Sequence, residues 1–433
     1  MNFVINDDSN NKIILEEYKK NDRVKMHSFH RYYGKLIPAI PDAFINIFSK
    51  ENELIFDPFC GSCTTGVEAL KNNRNFLGVE INPLSYNIAK IKTTKLDVNK
   101  LMELNCHLIF MINNMNKHYD EMEKPFLINR DHWFKDFVQD DLLNIRECIE
   151  KLFNNLPIKI NQRESKIYKN FYLMCLSSII KNVSNADTMH VFPGVSKRMR
   201  RLEEEGKIHI DVRRSFERTI NSKAQYYLIY NNINSHAKII NADSTNKILK
   251  KYKNSVDLIV TNPPYISSVR YIETLKLEMY WMQFICNQEE YSSLAHKMLG
   301  NDCISKKECE NIKYTKYEDI DVLIDTFKDI DIKSAKIVSD FFINIEKVIK
   351  LMNYVLKVNK KVVIKISDSK MKKVLVETGK LMTLIAEKNG FKLVDVFLDE
   401  IKANSRSLTT YRNSYSDIIT HDYIIIWEKI NDI

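Results

Sequence analysis

Short apolar runs separated by amphipathic stretches make up most of this chain. Apolar residues recur at helical spacing in 164–183 and 270–285. Apolar runs without polar alternation are typical of strands covered on both faces, and intervening helices provide that cover. The pattern therefore predicts a doubly wound α/β fold. The runs with the length and composition of buried strands are 54–56, 75–83, 237–244, 256–260, 356–368, 391–401 and 422–430.

The strand pattern is interrupted between residues 96 and 235, where apolar residues keep helical spacing. An insertion of this size within a compact sheet domain should fold as a subdomain with its own core. We predict one domain built from 1–95 and 236–433, and a mainly helical inserted subdomain over 96–235. A smaller polar insertion is predicted over 286–335.

Composition limits which kinds of partner and which cellular compartment are expected. The net charge of +9 and the pI of about 8.9 suit a polyanionic partner, although a charge this modest is weak support by itself. The eight cysteines have no zinc-ribbon spacing, and no secretory signal precedes them. No apolar run reaches the roughly 18 residues that a membrane span needs. We expect a cytoplasmic protein with free thiols, no metal and no membrane contact.

The segment 54–70, LIFDPFCGSCTTGVEAL, passes from an apolar strand through a turn of small residues into a helix. This unit binds nucleotide-like ligands at the carboxyl edge of a doubly wound sheet. Gly61 leaves room for a ligand at the backbone, and Asp57 offers a carboxylate to a cationic amino acid moiety. A generic strand-to-helix turn is the alternative interpretation.

Two further acids stand at strand ends. Glu80 closes the strand after the glycine-containing turn, where a carboxylate accepts both hydroxyls of a ribose. Asp243 ends the next short strand and could receive an adenine amino group. Acids at strand ends are common on protein surfaces, so both assignments depend on the neighbouring cofactor loop.

TNPPY, at 261–265, follows the apolar run 256–260. Asn262 offers a side-chain oxygen to one N–H of a planar amine, and the carbonyl of Pro263 can accept the other. Tyr265 offers a π-face for a base that has left its stack. The alternatives are a peptide-docking NPxY motif and a simple Pro-Pro turn. The strand before the motif and the amphipathic stretch after it favour the amine site.

DPFCGSCTT (57–65) and TNPPY together resemble the cofactor and catalytic loops of the DNA amino-methyltransferases. Those enzymes use S-adenosylmethionine to methylate adenine N6 or cytosine N4. The resemblance implies a seven-stranded, Rossmann-like methyltransferase sheet carrying the catalytic domain. Cys63 stands where the family pattern has its second glycine, which leaves the backbone approach at that position in question. The segment 30–48, placed before both loops, resembles the family's other cofactor motif and gives the order called the gamma class.

The resemblance also assigns roles to residues. The implied cofactor-binding residues are Lys35, Ile37, Pro38, Asp57, Pro58, Phe59, Gly61, Thr64, Glu80, Ile81 and Asp243. The implied catalytic residues are Asn262, Pro263, Pro264 and Tyr265.

Clustered cations mark candidate contacts to phosphates, which give affinity and register without reading sequence. Two segments carry them, 196–219 and the loop 401–417. A solvated helix face and a surface loop without function are the alternatives. The candidate DNA-binding residues are Lys197, Arg198, Arg200, Arg201, Arg213, Arg214, Arg406, Tyr411 and Arg412.

The expected activity is site-specific methylation of a flipped base in double-stranded DNA, with adenine N6 ahead of cytosine N4. We expect a cytoplasmic, nucleoid-associated enzyme in a restriction-modification or defence setting, with a separate restriction enzyme as a candidate partner. An RNA methyltransferase and a non-catalytic nucleic-acid-binding protein are the other hypotheses.

Overall fold

The computed structural model describes residues 24–231, 233–266, 270–300, 304–400 and 421–432. The strands of these residues are β1 (Leu54–Asp57), β2 (Asn75–Glu80), β3 (Ala237–Asn241), β4 (Val256–Thr261), β5 (Leu356–Ile366), β6 (Ser369–Met371), β7 (Val374–Val376), β8 (Phe391–Glu400) and β9 (His421–Lys429).

The α-helices fall into two groups. Those before β4 are α1 (Ala39–Phe48), α2 (Thr64–Lys71), α3 (Pro83–Lys92), α4 (Val98–Asn113), α5 (Arg130–Trp133), α6 (Asp136–Asn154), α7 (Gln162–Val183), α8 (Lys197–Glu204) and α9 (Val212–Ala224). Those after β4 are α10 (Tyr271–Thr274), α11 (Lys276–Trp281), α12 (Gln288–Lys297), α13 (Lys306–Cys309), α14 (Glu318–Ile330), α15 (Ile332–Val355) and α16 (Thr378–Lys388). Short 3₁₀ helices lie at Lys25–Ser28, Gln225–Tyr230 and Lys247–Tyr252.

Seven strands form one sheet in the order β3-β2-β1-β4-β5-β9-β8. The first five are parallel to their neighbours, whereas β9 is antiparallel to both β5 and β8. The predicted seven-stranded, doubly wound sheet is confirmed. Chain order reverses between β1 and β4, and the carboxyl ends of strands at such a switch point form a ligand crevice.

The two faces of the sheet are covered by different helices, because successive side chains of a strand point to opposite faces. Phe56 and Ile259 pack in a hydrophobic cluster with residues of α14, α15 and α16. Ile55 and Leu258, their neighbours along the same strands, pack with residues of α1. The strands that carry the candidate loops are therefore buried on both faces and hold those loops rigidly.

Helices make up the predicted insertion. Among its described residues, α4 to α9 and one 3₁₀ helix occur and no strand does. Their apolar faces, including Leu104, Phe171 and Phe216, share one cluster with Ile88 of α3 and Leu70 of α2. The helical layer therefore packs directly onto the helices that follow the first two strands. None of the described helices is long and apolar enough to cross a membrane.

The smaller insertion, 286–335, contributes α12, α13 and α14. Ile320, Ile324 and Phe327 of α14 are fully buried in the cluster formed with α15. α14 is thus part of the layer that covers one face of the sheet, whereas Ala295 of α12 belongs to the cluster of the helical layer.

Candidate active site

A cavity of about 410 Å³ opens at the carboxyl ends of β1, β2, β3 and β4. Most residues that the sequence singled out lie on its wall. Those lining it are Lys35, Asp57, Pro58, Phe59, Gly61, Thr64, Glu80, Ile81, Asp243, Asn262 and Pro264. Four other predicted residues are not among its lining residues: Ile37, Pro38, Pro263 and Tyr265.

The loop after β1 is held tightly at its backbone. The N–H of Cys60 donates to the Val79 carbonyl at 3.0 Å, and the buried Lys92 ammonium donates to the Ser62 carbonyl at 2.5 Å. Gly61 has φ +49°, and a Cβ there would lie 2.9 Å from the Tyr32 hydroxyl. The absence of a side chain at Gly61 lets Tyr32 pack closely against the loop, and both residues line the cavity.

Cys63 takes the left-handed conformation, with φ +63°, immediately before α2. Its side chain is fully buried and is not among the residues lining the cavity. A Cβ at Gly66 would collide with the Cys63 sulfur, so the glycine in α2 makes room for this thiol. The cysteine therefore points into the core and leaves the cavity side of the loop clear.

Asp57 joins the ends of β1 and β4. Its Oδ1 accepts hydrogen bonds from the Thr261 hydroxyl at 2.6 Å and from the Phe59 N–H at 3.0 Å. Burial raises the pKa of this carboxyl to about 6, against the effect of those hydrogen bonds. A bound ammonium would stabilise its ionised form, so the site suits the amino acid end of a cofactor.

Glu80 ends β2 and is 8% exposed. The N–H of Asn82 donates to its Oε1 at 2.7 Å, and burial raises the pKa of the carboxyl to about 7. Asp243 is exposed beyond β3, and its Oδ1 accepts the Thr245 N–H at 2.8 Å. Two carboxyls thus line the cavity where ribose and adenine were expected to bind.

Asn262 follows β4 and is fixed by one hydrogen bond. Its Nδ2 donates to the Gly34 carbonyl at 3.1 Å. Its Oδ1 is buried and has no hydrogen-bond partner among the described residues. An acceptor in this state is costly unless a donor arrives, and Asn262 lines the cavity from which a donor would come.

The two prolines and Tyr265 do not all face the cavity. Pro264 lines the cavity, whereas Pro263 is buried behind it. The Tyr265 hydroxyl donates to Asp422 of β9 at 3.4 Å, and burial raises the pKa of the phenol. The predicted stacking role of Tyr265 remains a prediction, because its ring is tied to β9 rather than placed on the cavity wall.

Several lining residues were not identified from the sequence. Tyr32 and Tyr271 stack with ring centroids 6.5 Å apart and an interplanar angle of 20°, and both line the cavity. The aromatic pair in HRYYGK was the available signal for Tyr32. No local signal pointed to the other lining residues from α12, α15 and the turn after α12, which are His296, Lys297, Met298, Leu299, Asn344 and Val348.

The six described candidates for DNA binding, from Lys197 to Arg214, do not line the cavity. Arg198 forms a two-point contact with Asp187, at 2.5 and 3.1 Å, and Arg213 pairs with Asp141 at 2.7 Å. Those two guanidinium groups are paired within the protein, Arg201 lies 3.7 Å from Glu205, and the role of all three in DNA binding stays a prediction. Lys197, Arg200 and Arg214 are exposed. Three other candidates lie outside the described residues: Arg406, Tyr411 and Arg412.

Comparison with known proteins points to one family. A family model described as DNA methylase matches residues 10–91, which include the first cofactor motif, the loop after β1 and Glu80. This match supports S-adenosylmethionine as the cofactor, and Gly61 and the buried carboxyls fit that molecule.

Two curated relatives are type II methyltransferases. M.MvaI of Kocuria varians is 27% identical over 65% of this chain and 63% of its own length. M.MjaII of Methanocaldococcus jannaschii is 34% identical over 23% of this chain and 18% of its own length. The chain thus spans less than two thirds of either relative.

Among solved structures, a TehB-like SAM-dependent methyltransferase from Corynebacterium glutamicum is 9% identical, over 96% of this chain and 99% of its own. The TM-score of that superposition is 0.28.

Proposed function

We propose, from the premise that this chain is related to the DNA amino-methyltransferases, that it methylates the exocyclic amino group of a base in double-stranded DNA. S-adenosylmethionine supplies an electrophilic methyl group when bound. The protein's own contribution is to hold the amine, exclude water and orient the acceptor nitrogen.

The Oδ1 of Asn262, which has no hydrogen-bond partner among the described residues, carries this proposal. An exocyclic amine has its lone pair delocalised into the ring and is a poor nucleophile. Accepting one of its N–H bonds draws electron density toward nitrogen, and a second acceptor favours the pyramidal geometry that attack requires. The carbonyl of Pro263 follows directly in the chain and is the candidate second acceptor. Because Asn262 already donates to Gly34, its oxygen is the atom left for the amine.

The cavity offers a consistent place for each part of the cofactor. Asp57 would face the amino acid end, Glu80 the ribose hydroxyls and Asp243 the adenine. Asp57 and Glu80 end β1 and β2, and Asp243 lies just beyond β3; these three strands are adjacent in the sheet. Asn262 follows β4, on the other side of the switch point. The acceptor base would therefore enter beside the amino acid end of the cofactor, where the reactive methyl lies.

Adenine N6 is our first candidate for the acceptor, because Asn rather than Ser opens the NPPY motif. Cytosine N4 is the alternative, since the same pair of acceptors would hold its amine. Both relatives are named type II methyltransferases, which supports the proposal of a restriction-modification setting.

Methyl transfer to duplex DNA, followed by mass spectrometry of the nucleosides, tests this function. We expect N6-methyladenine in DNA incubated with the protein and S-adenosylmethionine. N4-methylcytosine would correct the base but keep the enzyme class. Preferential methylation of transfer RNA in competition would contradict the DNA assignment.

A further inference from the structure

We propose that Met189 is an apolar wedge that enters the DNA stack while the target base is in the cavity. This inference rests on the proposed function and adds a residue that the motifs did not indicate. Met189 is at the tip of the loop between α7 and α8, and its side chain is 74% exposed. Val191, two residues further on, is 2% exposed and anchors the same loop in the protein.

The base of this loop is closed by Asp187. The N–H of Asp187 donates to the Gly194 carbonyl at 2.8 Å, and its carboxylate accepts the Ser196 hydroxyl at 2.5 Å. The same carboxylate binds the Arg198 guanidinium at two points, which holds the pKa of Asp187 well below its usual range. The tip is therefore presented on a fixed loop, as insertion between stacked bases requires.

The tip is tied to the wall of the cavity. The carbonyl of His190, next to Met189, accepts hydrogen bonds from the Tyr33 hydroxyl at 3.2 Å and from the buried Lys181 ammonium at 2.5 Å. Tyr33 stands between Tyr32 and Gly34, which both line the cavity. The exposed methionine is thus linked through one side chain to the segment that orients Asn262.

Positive charge beside the loop between α7 and α8 is suited to binding the DNA backbone. Lys197 and Arg200 are exposed on α8, which begins three residues after Gly194. Single exposed apolar residues are ordinary on protein surfaces. Met189 differs because it combines a fixed base, neighbouring cations and a direct link to the cavity wall. Apolar wedges of this kind, including Met, separate base steps in proteins that distort DNA.

A wedge lowers the cost of removing the base from a paired duplex, and that cost is smallest for an unpaired base. The test compares Met189→Ala with the unmutated protein on two short duplexes carrying the methylated site, mapped beforehand by sequencing DNA from an expressing host. In one duplex the target base is paired, and in the other it faces an abasic site. Val322→Ala is the control, since Val322 is 60% exposed on α14, which covers the face of the sheet opposite α1.

We expect Met189→Ala to lose about 10-fold or more of kcat/KM on the paired duplex and to stay within about twofold on the abasic duplex. Val322→Ala should behave as the unmutated protein on both. Unchanged activity of Met189→Ala on the paired duplex, or equal losses on both duplexes, would overturn the wedge and leave the proposed function intact. Failure of the unmutated protein to methylate either duplex would instead overturn the proposed function.

Discussion

The Asn262 side chain is oriented by the Gly34 carbonyl, which accepts a hydrogen bond from Nδ2 at 3.1 Å. The two residues are far apart in the chain, one before α1 and the other after β4. The Oδ1 of the same side chain has no hydrogen-bond partner among the described residues, and Asn262 lines the cavity. The segment before α1 therefore orients a residue of the proposed amine site and also lines the cavity proposed for the cofactor.

Gly34→Ala should lower turnover by more than its effect on stability explains. Gly34 has φ +72°, and a Cβ there would lie 3.0 Å from the Tyr271 ring, so the backbone or the ring must move. Left-handed backbone costs a non-glycine residue about 1–2 kcal/mol. The free energy of unfolding and kcat are the quantities to measure.

Gly206→Ala is the matched control for that change. Gly206 has φ +65° but no atom within 4 Å of the added Cβ, so it carries the backbone cost alone. Gly206→Ala should lose the backbone cost, Gly34→Ala should lose at least as much stability, and only Gly34→Ala should lose turnover. Equal turnover in the two variants would show that Gly34 does not position the amine site.

Cofactor affinity should rise with pH between about 5 and about 7 and then level off. Burial raises the pKa of Asp57 to about 6 and that of Glu80 to about 7. A cofactor that donates an ammonium and hydroxyls prefers the ionised carboxylates, so its binding lowers both pKa values and releases protons in this window. Calorimetry in buffers of different ionisation enthalpy measures the affinity and the proton release together.

The same raised pKa values make the ligand-free protein less stable as the pH rises, whereas they make cofactor binding stronger. The folded state resists ionisation of Glu80, so its contribution to stability is lost as the pH rises from 4.5, the ordinary pKa, to about 7. Glu80→Gln should remove the part of both pH dependences, of cofactor affinity and of stability, that lies near pH 7. An affinity for the cofactor that is flat or falls over this range would contradict the assigned role of the carboxyls.

Lys365→Met should destabilise the protein by about 3–5 kcal/mol. The Lys365 ammonium lies 3.0 Å from Asp399 and 2.9 Å from Asp422, and all three side chains are buried. Burial alone would lower the pKa of Lys365, but the two carboxylates outweigh it and raise that pKa. Removing the ammonium leaves two buried carboxylates together beside Tyr265.

Lys392→Met provides the comparison in urea denaturation. Lys392 pairs with Glu428 at 2.9 Å, but its side chain is 54% exposed. An exposed pair is worth about 0–1 kcal/mol. Similar losses in the free energy of unfolding would show that Lys365, Asp399 and Asp422 do not hold the β5-β9-β8 end of the sheet together.

The sheet and the residues at its carboxyl edge were predictable because the signals are local. Apolar runs mark strands such as β4, and in a parallel sheet the residues just after them, such as Asn262, meet at one edge. Asp57, Glu80 and Asp243 could be placed for the same reason. Their cavity-lining positions agree with that reasoning, while their contacts with the cofactor remain predictions.

The rest depended on tertiary packing. The hydrogen bond between Gly34 and Asn262 joins residues far apart in the chain, and no sequence pattern indicates it. Cys63 seemed to obstruct the cofactor loop, but its left-handed backbone turns the thiol into space left by Gly66. Arg198 looked like a phosphate contact in a basic run, and its partner Asp187 lies 11 positions earlier in a different element.

The most direct test of the account is Asn262→Ala, assayed for cofactor binding by calorimetry and for methyl transfer to DNA. Asn87→Ala is the control, since Asn87 of α3 donates only to the Pro83 carbonyl within the described residues and does not line the cavity. We predict that Asn262→Ala binds S-adenosylmethionine within about twofold of the unmutated protein and loses about 100-fold or more in kcat. Near-full turnover in Asn262→Ala would contradict the assignment of its side-chain oxygen as the acceptor for the target amine.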